Sequence, residues 1–229
     1  MNKEINIDFS PEISAVAPGL RVIRLSADVV NGPTDPQLRQ ELEELAARIK
    51  QTYRIADINK RPGIAATRAV YKALGKDPNR YRPSQEQLMR RIVNDKGLYF
   101  ISNLVDVCNY VSVACGCSIG AFDTDAIDGD TLTLGAGRAG EPYEGIGRGP
   151  LNIEGLPVYR DKAGGVGTPT SDNERTKVSE FTRHLTVCIN VYGAEMGDDE
   201  VIGLYGRMLR RYCGASEVAV RTFAPGAAF

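Results

Sequence analysis

The chain has 229 residues, of which 42% are hydrophobic and 25% are charged, and its formal net charge is −1. This composition is typical of a soluble globular protein, and the near-zero net charge excludes a protein that coats nucleic acid through charge alone. No segment has the length and apolarity of a membrane span, and no N-terminal signal is recognisable, so we expect no membrane association and a cytoplasmic location. Five cysteines without regular pairing favour reduced thiols, which fits that compartment.

Helices dominate the first half of the predicted chain. Alternating apolar residues predict strands at residues 5–9 and 21–29. Pro36 begins an amphipathic helix, Pro62-Gly63 breaks the chain before the next, and Ser84 with Gln87 forms a capping box for a third. The predicted helices cover residues 36–53, 65–74, 85–96 and 101–115, and a last helix follows Asp198 and Asp199 and ends at Gly214.

Strands dominate the second half. They are predicted at residues 118–123, 131–134, 156–159, 185–191 and 218–223, and a frayed tail follows. The polar run 164–177 has neither helical nor strand periodicity and is predicted to be a loop. Without an internal repeat or an obvious linker, the sequence predicts one α+β domain over residues 1–229, with helices packed on a mixed sheet.

The stretch 101–123 organises the rest of the prediction. Leu104, Val111 and Cys115 fall on one helical face, and Gly116 has the place of a C-terminal glycine. Asn109 lies beside that apolar face, and its amide can both donate and accept hydrogen bonds. From the residues alone, an asparagine that caps or satisfies the core is an equally good interpretation.

The succession N-L-V-D-V-C-N-Y-V, a glycine, and I-G-A-F-D resembles the editing domain of the phenylalanyl-tRNA synthetase beta subunit, the tRNA-binding domain formed by its third and fourth modules. The resemblance spans roughly residues 60–195. It implies an α+β fold, a pocket that hydrolyses wrongly charged tRNA, and a free-standing domain without the rest of a synthetase. It assigns Asn109 to catalysis. The residues of this stretch that it assigns to substrate binding are Cys108, Gly120, Ala121 and Phe122.

Two positions in this stretch differ from the family pattern. Cys108 stands where the family has a threonine, which keeps the size of the side chain but weakens its hydrogen bond. Gly120 stands where the bacterial synthetases have a histidine. Catalysis resembling that of the family would then depend on water held by backbone groups and by the ribose of the tRNA.

The run 164–176 supplies glycines and hydroxyl groups that could hold an oxyanion, although a surface turn has the same composition. The resemblance places this run at the pocket of the family. On that basis Thr168 and Ser171 are predicted to be catalytic, with Thr168 at the position of a family glycine. Gly165, Gly167 and Thr176 are predicted to contact the substrate.

Charged groups in the resembling segments complete the predicted site. Asp172 and Glu154 are the candidates for holding the α-ammonium group, because a buried ammonium needs a negative partner. The family glutamate that recognises the tyrosine hydroxyl should fall near Cys188 and Asn190, which are assigned to the pocket. No glutamate occurs there, so tyrosyl-tRNA is not the expected substrate.

A local excess of positive charge predicts the surface that meets tRNA. Residues 54–96 contain eleven Lys and Arg and four Asp and Glu, a net charge of +7 against −8 for the remainder, although a solvated helical surface would look the same. Arg90 and Arg91 belong to this segment, and Arg160 and Arg175 are candidates for the phosphates of the acceptor end. The spacing of the cysteines and the single His184 predict neither a metal site nor a cofactor, and DNA is not an expected partner.

The sequence therefore predicts hydrolysis of mischarged aminoacyl-tRNA in trans. Two alternatives stay open: a non-catalytic tRNA-binding module that assists a synthetase, and a protein that binds a free amino acid. The positive segment favours the two RNA-based alternatives over the third. The amino acid, the tRNA and the oligomeric state are not predicted. Every interpretation in which the protein binds an aminoacyl ester requires the helix before Gly116 and the run 164–176 to meet at one cavity.

Overall fold

A computed structural model describes residues 3–226 and places them in seven α helices and ten strands. The helices are α1 Pro11–Val16, α2 Pro36–Thr52, α3 Ile55–Ile58, α4 Pro62–Ala73, α5 Ser84–Val93, α6 Asn103–Cys115 and α7 Asp198–Cys213. The strands are β1 Asn6–Phe9, β2 Arg21–Asp28, β3 Ser118–Asp123, β4 Thr131–Ala136, β5 Glu144–Gly145, β6 Gly149–Pro150, β7 Pro157–Asp161, β8 Gly164–Gly167, β9 His184–Val191 and β10 Val218–Phe223. Two short 3-10 helices cover Thr124–Ala126 and Glu174–Thr176.

The strands form two four-stranded sheets and one small hairpin. The first sheet has the order β10-β2-β9-β3 and is antiparallel throughout. The second has the order β1-β4-β7-β8, with β1 and β4 parallel and the other pairs antiparallel. Strands β5 and β6 pair only with each other. This mixture of helices and mostly antiparallel strands confirms the predicted α+β class.

The first sheet is buried on both faces. Ile23 and Leu25 of β2 pack with residues of α2, α6 and α7, whereas Val22 packs with residues of the second sheet. Strand β2 accordingly has four consecutive buried residues, which is the pattern of a strand covered on both sides. The molecule therefore has three layers, in the order helices, first sheet and second sheet.

Helix α6 lies over the first sheet at its β3 edge, and its C-terminal end is tightly held. Gly116 ends the helix in the left-handed conformation, with φ 74°. The buried Arg61 side chain donates from Nη1 to the Val113 carbonyl at 2.8 Å and from Nε to Glu195 Oε2 at 2.7 Å. A charged group thus satisfies a carbonyl that the last turn of the helix leaves open. This clamp ties the end of α6 to the start of α4 and to the segment after β9.

The predicted elements match the observed ones except at a few positions. The capping box is wrong, because Pro83 is the N-cap residue of α5 and no side-chain cap bond forms there; the Gln87 amide donates instead to the Arg82 and Thr170 carbonyls. Pro62 does not break the chain but begins α4. Helices α1 and α3 and the short strands β5 and β6 were not predicted.

The run 164–177 is more ordered than its composition indicates. Its first four residues form β8, which pairs with β7, and its end contains a 3-10 helix. Glycine suits this strand because a Cβ on Gly165 would lie 2.6 Å from the Tyr143 ring. The predicted frayed tail extends into residues 227–229, which lie outside the described residues. Within residues 3–226, no helix is both long enough and apolar enough to cross a membrane.

Candidate functional site

A cavity of about 350 Å³ opens between α5, α6, β3, the β5–β6 hairpin and the segment after β8. Most of its wall is aliphatic, and a few polar side chains interrupt that wall. Cavities of this size and character are typical of small-molecule and substrate sites. Its lining residues are Ser84, Leu88, Ile101, Val105, Cys108, Asn109, Ser112, Ile119, Ala121, Ile146, Asp172, Lys177 and Val178.

Helix α6 presents one face to the cavity. Val105, Cys108, Asn109 and Ser112 follow at spacings of three, one and three residues, so they project in nearly the same direction. Two of them are held by hydrogen bonds: the Cys108 thiol donates to the Ile119 carbonyl at 3.7 Å, and the Ser112 hydroxyl donates to the Cys117 carbonyl at 2.7 Å. The amide of Asn109 forms no hydrogen bond with any of the residues 3–226. It is therefore the side chain of α6 that is free to meet a ligand.

Strand β3 divides the predicted substrate residues between two faces. Ala121 lines the cavity together with Ile119, as alternate residues of a strand should. Gly120 and Phe122 lie on the opposite face, where Phe122 is buried among residues of the second sheet. A Cβ on Gly120 would lie 2.5 Å from the Phe122 ring, so the absence of a side chain there serves packing. Neither residue lines the cavity.

Asp172 is the carboxylate of the cavity. Its Oδ2 accepts a hydrogen bond from the Ala121 N–H at 3.4 Å, and no ion pair within residues 3–226 involves it. Burial raises the pKa of Asp172 to about 7, and the Ala121 N–H opposes that rise. Gly167 makes room for this carboxylate, because a Cβ there would lie 2.8 Å from Asp172 Oδ1 and 2.6 Å from the Phe122 ring.

The hydroxyl groups of Thr168, Ser171 and Thr176 form hydrogen bonds with backbone groups of the same run, 164–176. Thr168 Oγ1 donates to the Ser171 carbonyl at 2.9 Å and accepts from the N–H groups of Thr170 and Ser171 at 3.2 and 3.1 Å. Ser171 Oγ donates to the Asp172 carbonyl at 3.3 Å, and Thr176 Oγ1 donates to the Val166 carbonyl at 3.2 Å. These are the bonds of a side-chain-stabilised turn. Thr168, Ser171 and Thr176 do not line the cavity.

Three other predicted pocket residues also lie away from the cavity. Cys188 is buried in the core between the two sheets, where burial raises its pKa to about 12. Asn190 accepts a hydrogen bond from the Tyr159 hydroxyl at 2.6 Å and donates to the Ser118 carbonyl at 3.2 Å. Glu154 is exposed in the loop before β7. The cavity thus brings Cys108, Asn109, Ala121 and Asp172 together but not these three.

Three of the four predicted tRNA-binding arginines are paired with carboxylates. Arg90 bonds Glu86 at 2.9 Å; Arg160 bonds both oxygens of Glu141 at 2.6 Å; Arg175 bonds both oxygens of Asp161 at 2.8 and 2.9 Å. These contacts neutralise much of the charge that a phosphate would meet. Arg91 instead donates to two backbone carbonyls and stacks 3.9 Å above the Tyr99 ring.

The rim of the cavity contains residues that sequence reasoning missed. The exposed Ile101 and Ile146 line the cavity, and the exposed Tyr99 and Phe181 lie within three residues along the chain of the lining residues Ile101 and Val178. Lys177 lines the cavity and pairs with Glu174, and Arg148 of the hairpin donates to Gln87 Oε1 at 2.7 Å. The sequence contains a signal for the α5 part of this rim, because the spacing of Ser84, Leu88 and Arg91 places them on one face of a helix. Nothing local linked residues 144–150 to this face.

The other described side chains that could act in catalysis or metal binding lie away from the cavity. His184, half-buried, is 3.0 Å from the Asp125 carboxylate and does not line the cavity. Cys115 and Cys117 are buried at the end of α6. Within residues 3–226, no group of three or more His, Cys, Asp or Glu side chains is placed to hold a metal ion.

Comparison with known proteins identifies the class to which this fold and cavity belong. The family model described as the B3/4 domain matches residues 66–196, which is more than half of the chain. The chain therefore belongs to the B3/4 domain family, and the family resemblance drawn from residues 101–123 is confirmed at this level.

Similarity to individual proteins agrees with this class. The phenylalanine–tRNA ligase beta subunit of Bartonella henselae is 34% identical over 104 residues, which cover 44% of this chain and 13% of that subunit. An N-terminal fragment of the phenylalanyl-tRNA synthetase beta subunit from Pyrococcus horikoshii matches with 12% identity and a TM-score of 0.48, over 95% of this chain and 52% of the fragment. The chain thus spans a small part of the first protein and about half of the second.

Proposed function

We propose that this chain hydrolyses the ester bond of mischarged aminoacyl-tRNA, acting on the charged tRNA in trans. The observation that carries the proposal is that Asn109 and Asp172 are among the few polar side chains in the mainly aliphatic wall of one cavity. An aminoacyl ester has the same division, with an apolar side chain at one end and a carbonyl, an amine and a ribose at the other. Membership in the B3/4 domain family and the similarity to a phenylalanine–tRNA ligase subunit support tRNA as the carrier of that ester.

Asn109 is the proposed donor to the carbonyl oxygen. Ester hydrolysis passes through a tetrahedral intermediate whose oxygen carries negative charge, and a fixed amide N–H stabilises that charge. Because no hydrogen bond to the described residues occupies the Asn109 side chain, such a donation would not break an existing contact. A position on a helix held at its end by Arg61 also keeps the amide in place.

The aliphatic wall is the proposed selector of the amino acid. Leu88, Val105, Ile119 and Ile146 offer no partner for a polar side chain. An apolar wall discriminates by size and shape and cannot strongly favour a tyrosyl group over the same group without its hydroxyl. We therefore propose an apolar amino acid as the one removed.

The rim is the proposed contact for the acceptor end of the tRNA. Arg91 and Arg148 supply positive charge in the segments that contain the lining residues Leu88 and Ile146, and Tyr99 and Phe181 supply exposed rings. Single-stranded nucleic acid is bound by this combination, because the cations follow the phosphates and the rings stack on the bases. The last nucleotides before the ester are unpaired, so they suit such a rim.

A deacylation assay tests the proposal. A panel of tRNAs charged with correct and incorrect amino acids is mixed with the protein, and loss of the ester is followed with time. Turnover of a mischarged species that carries an apolar amino acid supports the proposal. Absence of turnover for every species, under conditions where the same tRNAs bind, contradicts it.

A second candidate is a tRNA-binding module without catalytic activity. The observation that favours it is the state of the three hydroxyls of the turn, since Thr168, Ser171 and Thr176 are all engaged with backbone carbonyls. A binding module needs the rim but no group that activates water. Binding of charged tRNA without ester loss in the same assay would support this second candidate.

A further inference from the structure

Hydrolysis of an ester requires a group that takes a proton from the attacking water. Few side chains of the cavity can do so. The Cys108 thiol donates to the Ile119 carbonyl, and burial raises its pKa to about 12, so it stays protonated at neutral pH. Lys177 is held by the Glu174 carboxylate, and His184 lies outside the cavity. Among the residues described, these constraints leave Asp172.

The geometry of Asp172 suits proton transfer. Its Oδ2 has one anchor, the N–H of Ala121 at 3.4 Å, and a hydrogen bond this long leaves much of the acceptor capacity of the oxygen unused. The carboxylate is half-buried and lines the same cavity as the Asn109 amide. A water between the two side chains could donate to the carboxylate while the ester carbonyl meets the amide.

We propose that Asp172 is the general base of the hydrolysis, an inference that rests on the proposed ester cleavage. Asp172 takes one proton from a water as the water oxygen forms a bond to the ester carbonyl carbon. The Asn109 amide donates to the resulting oxyanion. When the tetrahedral intermediate collapses, the bond to the ribose oxygen breaks and that oxygen takes the proton from Asp172. The products are a free amino acid and a tRNA with its ribose hydroxyl restored.

The surroundings of Asp172 agree with this role. The titratable side chains of α6, α7, β7, β9 and the segment before β5 that lie within electrostatic range of Asp172 are all neutral near pH 7, because burial raises the pKa of each. They are Cys108, Tyr205, Tyr159, Cys188 and Tyr143. Lys177 is the cation of the cavity. Burial accordingly raises the pKa of Asp172 to about 7, and a general base is most effective when its pKa lies near the working pH.

This role differs from the one expected from the sequence, where Asp172 holds the α-ammonium group. A partner for the ammonium acts on bound substrate and transition state alike, so its loss raises KM. A general base acts only as the water attacks, so its loss lowers kcat. The two roles therefore separate in steady-state kinetics.

The experiment compares the wild-type protein with Asp172→Asn and Asp172→Glu on the mischarged tRNA that the wild type cleaves fastest. For the wild type, kcat/KM should rise with pH, pass an inflection near pH 7 and level off above it, because the ionised carboxylate is the active form. Asp172→Asn should lower kcat about 100-fold, leave KM within about 3-fold and remove the inflection. Asp172→Glu should restore part of kcat. Glu200→Gln, an exposed acid-to-amide change on α7, is the control and should match the wild type.

Each other outcome has a definite meaning. An unchanged kcat with a raised KM in Asp172→Asn overturns the base and assigns the carboxylate to the ammonium. A wild type that cleaves esters without an inflection between about pH 6 and 8 also overturns it, whether or not the variants fold. In both cases the proposed hydrolysis stands. A wild type that cleaves no ester at all removes the proposed function and the base with it.

Discussion

The segments 101–123 and 164–177 were both predicted to form the site, but they contribute to it in different ways. The first places side chains from α6 and β3 directly in the cavity wall. The second contributes Asp172 and Lys177, while its hydroxyls at Thr168 and Ser171 are bonded within the turn. Polar residues of the two segments therefore have different freedom to act on a ligand in the cavity.

The reason lies in the backbone of each segment. In a helix the backbone groups bond to one another, so a side chain such as Asn109 on an outward face has no local backbone donor to satisfy. In a turn the N–H groups point outward, and short hydroxyl side chains bond them first. A polar residue on a helical face beside a cavity is thus a better candidate for chemistry than a hydroxyl in a tight turn.

The largest effect expected from this comparison is that of Asn109→Ala. Removing a donor to an oxyanion lowers kcat on the order of 100-fold, since one such donor contributes about 3 kcal/mol to the transition state. Stability should not fall, because the amide has no hydrogen bond to the described residues and alanine favours a helix. Deacylation kinetics and thermal unfolding of the same preparation measure the two quantities.

Gln40→Ala is the matched control for this change. Gln40 presents an exposed amide on α2 and bonds Glu44 one turn away. It should leave kcat unchanged. A large fall of the melting temperature in Asn109→Ala would show instead that the asparagine is structural, which is the interpretation that the sequence left open.

The sequence predicts structural features correctly where a local pattern and a three-dimensional contact coincide. The spacing of apolar residues located α6, and Gly116 located its end. The Asp106 carboxylate, in the first turn of this helix, accepts a hydrogen bond from the nearby Ile101 N–H at 3.2 Å and another from the Thr34 hydroxyl, 72 residues away, at 2.5 Å. The bond from Ile101 is one that a short polar side chain at a helix start commonly accepts, whereas the local sequence does not encode the bond from Thr34.

The sequence does not predict contacts that join distant segments of the chain. The rim joins Arg148 to Gln87, which is 61 residues away, and no periodicity encodes such a pair. Residues Gln85 and Glu86 were not predicted to be inside, yet both are fully buried, with Glu86 bonded to Arg68 at 2.8 Å. A buried carboxylate is tolerated because its cation is buried with it, and the sequence spacing of 18 residues does not reveal the pairing.

The second prediction tests the turn. Thr168→Val replaces the hydroxyl with a methyl group of similar size and leaves the N–H groups of Thr170 and Ser171 without their acceptor. Unfolding in urea should show a loss of about 2 kcal/mol, because each buried donor left unsatisfied costs roughly 1 to 3 kcal/mol and the turn can relax in part. Ser171→Ala removes only a 3.3 Å bond to the next carbonyl and should cost less. Should Thr168→Val instead abolish turnover at unchanged stability, its hydroxyl would be catalytic and the contrast between the two segments would fail.

The smallest effect is expected at the rim, for Arg148→Ala. Arg148 is exposed and its bond to Gln87 does not neutralise its charge, so it can meet a phosphate in the way that the carboxylate-paired Arg160 cannot. Loss of one exposed phosphate contact should weaken tRNA binding roughly 3-fold. It should also lower the slope of log affinity against log salt concentration by about 0.7, because one counterion fewer is released from a single strand.

Arg210→Ala, which changes an exposed arginine on α7, is the matched control and should change neither the affinity nor the slope. An identical salt slope for the wild type and Arg148→Ala would exclude the hairpin from the RNA surface, even if the affinity changed.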